Sequence, residues 1–219
     1  MPLAPSTETH RTARGAARVR SLTDTAADMF LEQGYEAVSI DTLIARVGGS
    51  RRNIYSHFGG KEGLFIEVVT QLCTDLARPL EALEIQGEDL PSALTLFGRR
   101  LLQIVLQPRT LALHRMMVAE GQRFPALAQA ILHAGQDHAM RIVARWVEQQ
   151  QSGGQLRADL PATDLAAQFV SLVVAGPQLR ALVGLAPKRQ RPAQLTSTVD
   201  QAVSLFLGGA LPTKAGKHA

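Results

Sequence analysis

Arg51, Arg52, Asn53, Tyr55 and Ser56 crowd hydrogen-bonding side chains, two of them cationic, into one short stretch of the chain. That density suits an anionic partner whose edges carry hydrogen-bond acceptors. An arginine can give two hydrogen bonds to one guanine, and an asparagine can pair with an adenine edge. Ile54 and Phe58 stand at i and i+4, so in a helix they share one face and leave the polar residues on the other. Upstream, Ile40, Leu43, Ile44 and Val47 fall at i, i+3, i+4 and i+7, which makes a second apolar helical face. Gly48 and Gly49 supply a tight turn between the two patterns, and Ser50 is a good N-cap for a helix from Arg51 to about His57. Ser39 is placed to cap the first helix. Its backbone amide either stops at that role or also faces an anion, as helix N-termini do. Two short helices, a glycine turn and a cationic outer face make the layout of a helix-turn-helix that enters a major groove. At least one of Arg51 and Arg52 is expected to touch a base edge; the other reading is that both pair with phosphates.

The elements around this segment read as helices throughout. Val19, Leu22, Ala26, Met29 and Phe30 repeat at helical spacing and predict a first helix over about Ala13–Gln33, ended by Gly34. After Gly59-Gly60 a fourth helix is expected from Lys61 to about Leu83, with a bend or early stop at Pro79. Asp89 can cap a helix to about Leu106, Pro108 opens another to Glu120, and Pro125 opens a long one to about Gln151. Pro161–Leu182, with a kink expected at Gly176-Pro177, and a last helix from Pro192 complete the pattern. Nothing reads as a strand.

Composition bounds the rest. The 219 residues are 46% apolar, ordinary for a folded chain, and the net charge of +4 favours a polyanionic partner only modestly. Its placement says more, because Arg11, Arg14, Arg18 and Arg20 gather at the N-terminus against Glu8. They form either a basic arm that tracks a phosphate backbone or, over the first ten residues, a solvated tail. A single cysteine, Cys73, excludes an intramolecular disulfide; it lies on an apolar stripe near Val69 and Leu72, which favours a core role over oxidant sensing. His133, Asp137 and His138 have the spacing of two metal ligands, but no third ligand accompanies them, so no metal is expected. No phosphate-binding loop, nucleophile elbow or zinc-protease motif is present. Without a signal peptide or a run of about 18 apolar residues, a cytoplasmic location and no membrane partner are expected.

Extended both ways, the segment resembles the N-terminal domain of the TetR (tetracycline-repressor-like) family of transcriptional regulators. Ala26–Tyr35 resembles the end of that family's first helix, and Ile54–Phe58 with Lys61, Leu64 and Phe65 resembles its recognition helix and the start of the next. Ala119–Pro125 and Gly153–Arg157 resemble the C-terminal domain of an AefR-like subgroup. Gly49, Arg52 and Asn53 depart from the commonest family pattern; the first predicts a slightly underfilled inter-helix core, and the other two leave the operator unspecified. The resemblance implies that Tyr55 gives its hydroxyl to a phosphate, that His57 lies near the backbone unless it only packs beside Phe58, and that Lys61 clamps a phosphate.

It also implies an all-α chain without cofactor or catalytic activity, in which an N-terminal helix-turn-helix three-helix domain precedes a larger helical ligand-binding and dimerisation domain. A flexible basic arm is expected over residues 1–12, the DNA-binding domain over 13–74, the larger domain over 75–208 and a frayed tail over 209–219. The expected partners are a double-stranded DNA operator, a second copy of the chain and a small-molecule inducer. Phe97, Leu101, Met116, Met117 and Trp146 are the expected ligand contacts, since flexible methionines gather there with the only tryptophan; the other reading of each is simple core packing. Phe169, Leu172, Val203 and Phe206 on the last two long helices are the expected dimer interface. Two rival readings are an all-helical enzyme carrying a helix-turn-helix-like segment and a nucleoid-type DNA binder without a ligand.

Overall fold

The structure is a computed structural model that describes residues 7–83, 89–185 and 192–211, with the side chains of 7–18 and 192–194 outside that description. All regular elements among the described residues are helices. They are α1 (Thr7–Gln33), α2 (Ile40–Val47), α3 (Arg51–Phe58), α4 (Lys61–Glu81), α5 (Leu90–Val105), α6 (Pro108–Glu120), α7 (Pro125–Ile131), a π-helical stretch Leu132–Asp137, α8 (His138–Ser152), α9 (Ala162–Leu182) and α10 (Pro192–Ala210). The chain forms two compact units, one holding the residues up to Cys73 together with Met116–Ile131, the other Thr74–Arg115 and Leu132 onward.

In the first unit α1, α2 and α3 pack in succession. Ala26, Met29, Phe30, Val38, Leu43, Ile54, Leu64 and Phe65 make its core. α1 begins at Thr7, so the backbone of residues 7–12 is helical where the sequence predicts a flexible arm; the rest of that arm lies outside the described residues. Nothing in TETHRTAR breaks a helix, whereas a start read from periodicity begins only at the first apolar repeat. The aromatic rings of Phe30, Tyr35 and Phe65 meet with centroids 5.1–5.9 Å apart, and Phe124, from the turn between α6 and α7, closes on Tyr35 at 4.9 Å. That turn therefore belongs to the first unit, although its place in the sequence predicts the larger domain.

In the second unit α5 packs on α9 and α10, and α8 on α9. Asp89 caps α5 by accepting from the Ser92 amide at 2.7 Å, as its position predicts. α9 carries Leu165, Phe169 and Val173 into the core, where the Phe169 and Phe206 rings meet edge-on at 5.3 Å. With 21 residues and a mean hydropathy of 1.3 over its most apolar window it is long and apolar enough to cross a membrane by length and composition alone, although polar residues interrupt it and no unbroken run of about 18 apolar residues occurs. Asp164, Gln168 and Arg180 along it, and the core contacts of one of its faces, fit a partly buried helix of a packed unit. The loop after α8 is tied to the end of α10: Leu156 is buried, and the Arg157 amide donates to the Ala210 carbonyl at 2.9 Å.

Where a single helix is expected over Pro125–Gln151, the structure has α7, a π-helical turn and α8. Leu127 and Ile131 are buried on α7; Val143, Ala144 and Val147 are buried on α8. In an uninterrupted α-helix Ile131 and Val143 would face directions about 120° apart. A π turn takes about one more residue than an α turn and so re-phases the buried face.

Candidate nucleic-acid interface

The helix-turn-helix is set by local chemistry at each helix end. Ser39 accepts from the Thr42 amide at 3.1 Å while the Thr42 hydroxyl accepts from the Ser39 amide at 3.1 Å, a reciprocal box that satisfies the N-terminus of α2. Ser50 accepts from the Asn53 amide at 3.3 Å and starts α3. Gly59, with φ of 75°, ends α3 in the left-handed region, its N–H donating to the Tyr55 carbonyl at 3.0 Å. Leu43 from α2 and Ile54 from α3 are buried; Ile40, Ile44, Val47 and Phe58 are half-buried. Gly49 is exposed, and a Cβ there would meet nothing within 4 Å, so the underfilled core expected at that position does not occur. The small residue leaves open solvent, not a hole.

On the outer face Arg51, Arg52, Asn53, Tyr55, Ser56 and His57 are all exposed. Tyr55 is 58% exposed, with its ring edge against the Gly60 backbone. Arg51 is not a free cation. Its Nε donates to Asp41 Oδ1 at 2.7 Å and its Nη2 donates to Asp41 Oδ2, a bidentate pair that joins α3 to α2 and raises the arginine's pKa. Asp41 escapes a reading of the sequence because it lies ten residues away, on another helix.

Lys61 is seated too. Its Nζ donates to the Glu36 carbonyl at 3.1 Å and stands 4.3 Å from the centroid of the Tyr35 ring. Burial lowers its pKa, opposed by the nearby Glu36 and Glu120 carboxylates. Arg123 pairs with Glu36 at 3.3 Å and Glu120 at 3.9 Å, so the α6–α7 turn bears on the same residues that hold Lys61. Gly63 explains how closely α4 approaches α3: a Cβ there would lie 1.7 Å from the Phe58 carbonyl oxygen.

Away from this face, Phe97 and Leu101 are buried in the core of the second unit with Trp146 packed on them, 6.3 Å from Phe97 between ring centroids. Met116 and Met117 fall in the first unit instead. Of the expected dimer residues, Phe169, Val203 and Phe206 are buried in the chain's own core, and only Leu172 is exposed, at 41%. Helical periodicity marks a stripe as apolar without saying whether the same chain already covers it. His133 meets Asp137 at 2.6 Å and His138 meets Glu81 at 2.7 Å, so the two histidines serve separate hydrogen-bonded contacts. Among the described residues no group of three potential ligands gathers around a metal position.

Two capped short helices at a glycine turn, with a cationic outer face, define a helix-turn-helix DNA-binding protein. The pattern described as bacterial regulatory proteins of the tetR family matches residues 22–68, and that of the C-terminal domain of AefR-like transcriptional repressors matches residues 92–209, more than half the chain. The chain belongs to the TetR family: it is a DNA-binding transcriptional regulator, not an enzyme.

Solved structures agree with the fold. The flavonoid-responsive regulator FrrA is 27% identical with a TM-score of 0.81, the match covering 91% of this chain and 100% of that one. A protein described as a TetR-family regulator from Mesorhizobium loti is 24% identical with a TM-score of 0.80, covering 90% and 98%. A TetR regulator from Agrobacterium tumefaciens is 24% identical with a TM-score of 0.70, covering 88% and 94%. No curated protein sequence matches the chain.

Proposed function

We propose that the chain is a homodimeric repressor that binds a palindromic operator and leaves it when a small, largely apolar molecule occupies the larger helical domain. The observation that carries the DNA-reading part is the outer face of α3, where Arg51, Arg52, Asn53, Tyr55 and His57 are exposed on a helix fixed by the Ser50 cap and the buried Ile54. Ser39 and Lys61 flank it, one at the N-terminus of α2 and the other at the start of α4. In this reading base edges are read from the first turn of α3, the Tyr55 hydroxyl, His57 and Lys61 face phosphates, and Ser39, whose amide already donates to the Thr42 hydroxyl, brings the N-terminus of α2 to the same strand.

Response to an aromatic molecule is supported by the likeness to FrrA, described as flavonoid-responsive. Phe97, Leu101 and Trp146, which gather in the second unit, are the proposed contacts; Met116 and Met117 fall in the first unit and are not among them. To act as an inducer, the molecule must bind the DNA-incompetent state more tightly than the competent one, since equal affinity shifts nothing. Fluorescence anisotropy on a palindrome selected from a random pool tests both parts. Affinity is expected to fall steeply with salt, with a slope of roughly −0.9 for each neutralised phosphate, and to fall again on addition of a flavonoid or similar planar aromatic. Equal affinity for scrambled duplex removes the sequence-specific reading. Compounds that stabilise the protein without changing its DNA affinity remove the switch.

A further inference from the structure

We infer that Asp41 is the positioning residue for sequence readout, holding Arg51 as a base reader and leaving Arg52 as the backbone-clamping cation of the same helix turn. This rests on the proposed function, since it assigns roles within the DNA-reading face.

Asp41 sits in the first turn of α2, where a carboxylate ordinarily serves the helix N-terminus. That end is already satisfied by the Ser39–Thr42 box. The Asp41 carboxylate instead takes two hydrogen bonds from Arg51, through Nε and Nη2, on one edge of the guanidinium fork. A planar guanidinium offers five N–H donors. Pairing through that one edge leaves the end-on edge, formed by Nη1 and the outer N–H of Nη2, for the two acceptors of a guanine. The pair is 67% exposed on the arginine and 60% on the aspartate, so it stands at the surface, where a groove can reach it.

Two consequences follow from charge and entropy. The side chain of Arg51 is ordered before DNA arrives, which removes an ordering cost that a free arginine would meet on binding. Its charge is also compensated by Asp41, so it is a weak partner for a phosphate but keeps its directional donors. Arg52, exposed beside it, has no such compensation among the described residues and suits a phosphate. An arginine that reads and an arginine that clamps are thus separated by the carboxylate of a different helix.

The test selects a preferred palindrome from a randomised duplex pool with the wild-type chain. Anisotropy then compares Arg51→Ala, Asp41→Ala, Asp41→Asn, Arg52→Ala and the Arg51→Ala/Asp41→Ala double variant across single-step changes of that palindrome. Arg51→Ala and both Asp41 variants are expected to lose at least about fivefold discrimination at the same base step. The double variant should lose no more than Arg51→Ala alone, because Asp41 acts only through Arg51. Arg52→Ala should weaken every duplex alike and flatten the salt slope by about one for each phosphate it no longer neutralises. Asp41 variants that bind all duplexes more tightly with base preference intact overturn the inference and leave Asp41 as a mere repellent of phosphate. Arg51→Ala relaxing preference where the Asp41 variants do not overturns the inference alone. Arg51→Ala with every preference intact, or a wild type that selects no sequence, overturns the inference together with the reading beneath it.

Discussion

At the scale of single residues, a cation's use depends on what already holds it. Lys61 rests on two neutral partners, the Glu36 carbonyl and the Tyr35 ring. In the proposed complex a phosphate would meet the ammonium directly, at closer range than the Glu36 and Glu120 carboxylates that already attract it, and would draw it from that seat. Lys61→Ala is therefore expected to weaken binding to every duplex alike and to lower the salt slope by about one for each phosphate released from the lysine, read by anisotropy against salt; unchanged slopes would mean the lysine never leaves Tyr35. Cys73 shows the opposite situation. Burial pushes its thiol pKa up to about 11, so at neutral pH it is a protonated core group and a poor nucleophile. The raised value also fixes a sign: the preference for the neutral thiol stabilises the fold fully below the ordinary value of 9.0 and is lost as pH rises through about 11. At pH 7.5 an aromatic disulfide reagent should react with the thiol at the rate of unfolding, and promptly in urea. Fast native-state labelling would make Cys73 a candidate oxidant sensor after all.

At the scale of elements, the joint between α3 and α4 is held by what is missing from Gly63. Because a methyl group there would stand 1.7 Å from the Phe58 carbonyl oxygen, Gly63→Ala must push α4 off the end of α3 and shift Lys61 with it. Overpacking of this kind costs about 1–3 kcal/mol. The variant should melt lower and bind DNA more weakly, while Gly49→Ala, with open space around it but a φ of +124°, should lose stability through backbone strain alone. An unaffected Gly63→Ala would show that the joint yields cheaply. This corner also separates what the sequence makes legible from what it hides. Ser39, Ser50 and Asp89 announce their helices because capping is local: the side chain bonds the amide three residues on. The Asp41–Arg51 pair and the close approach at Gly63 depend on how two helices cross, which no spacing along the chain encodes. The π turn at Leu132–Asp137 is hidden for a related reason, since LHAGQD carries no proline and reads as a continuing helix.

At the scale of the whole molecule, the question is which apolar residues the chain leaves for a second copy. Phe206, an interface residue by its spacing alone, is 4% exposed and packs edge-on against Phe169, so Phe206→Asp buries an unpaired carboxylate in the core and is expected to unfold the second unit. Leu172 and Leu179 lie at i and i+7 on α9, with Val183 at its C-cap; Leu179 and Val183 are 62% and 58% exposed, and Leu205 on α10 is also bare. A row of large apolar side chains on a helix whose other face is already buried fits an isologous interface, where each substitution acts twice. Leu179→Asp is accordingly expected to yield a folded monomer, with wild-type helicity by circular dichroism and half the mass by light scattering. Its affinity for the full palindrome should collapse toward that for a half-site, because the second head no longer binds at the effective concentration set by the first. The two variants separate core from interface: Phe206→Asp should lose structure and Leu179→Asp only its partner. A Leu179→Asp protein that remains dimeric and keeps full palindrome affinity would move the interface away from the α9 stripe.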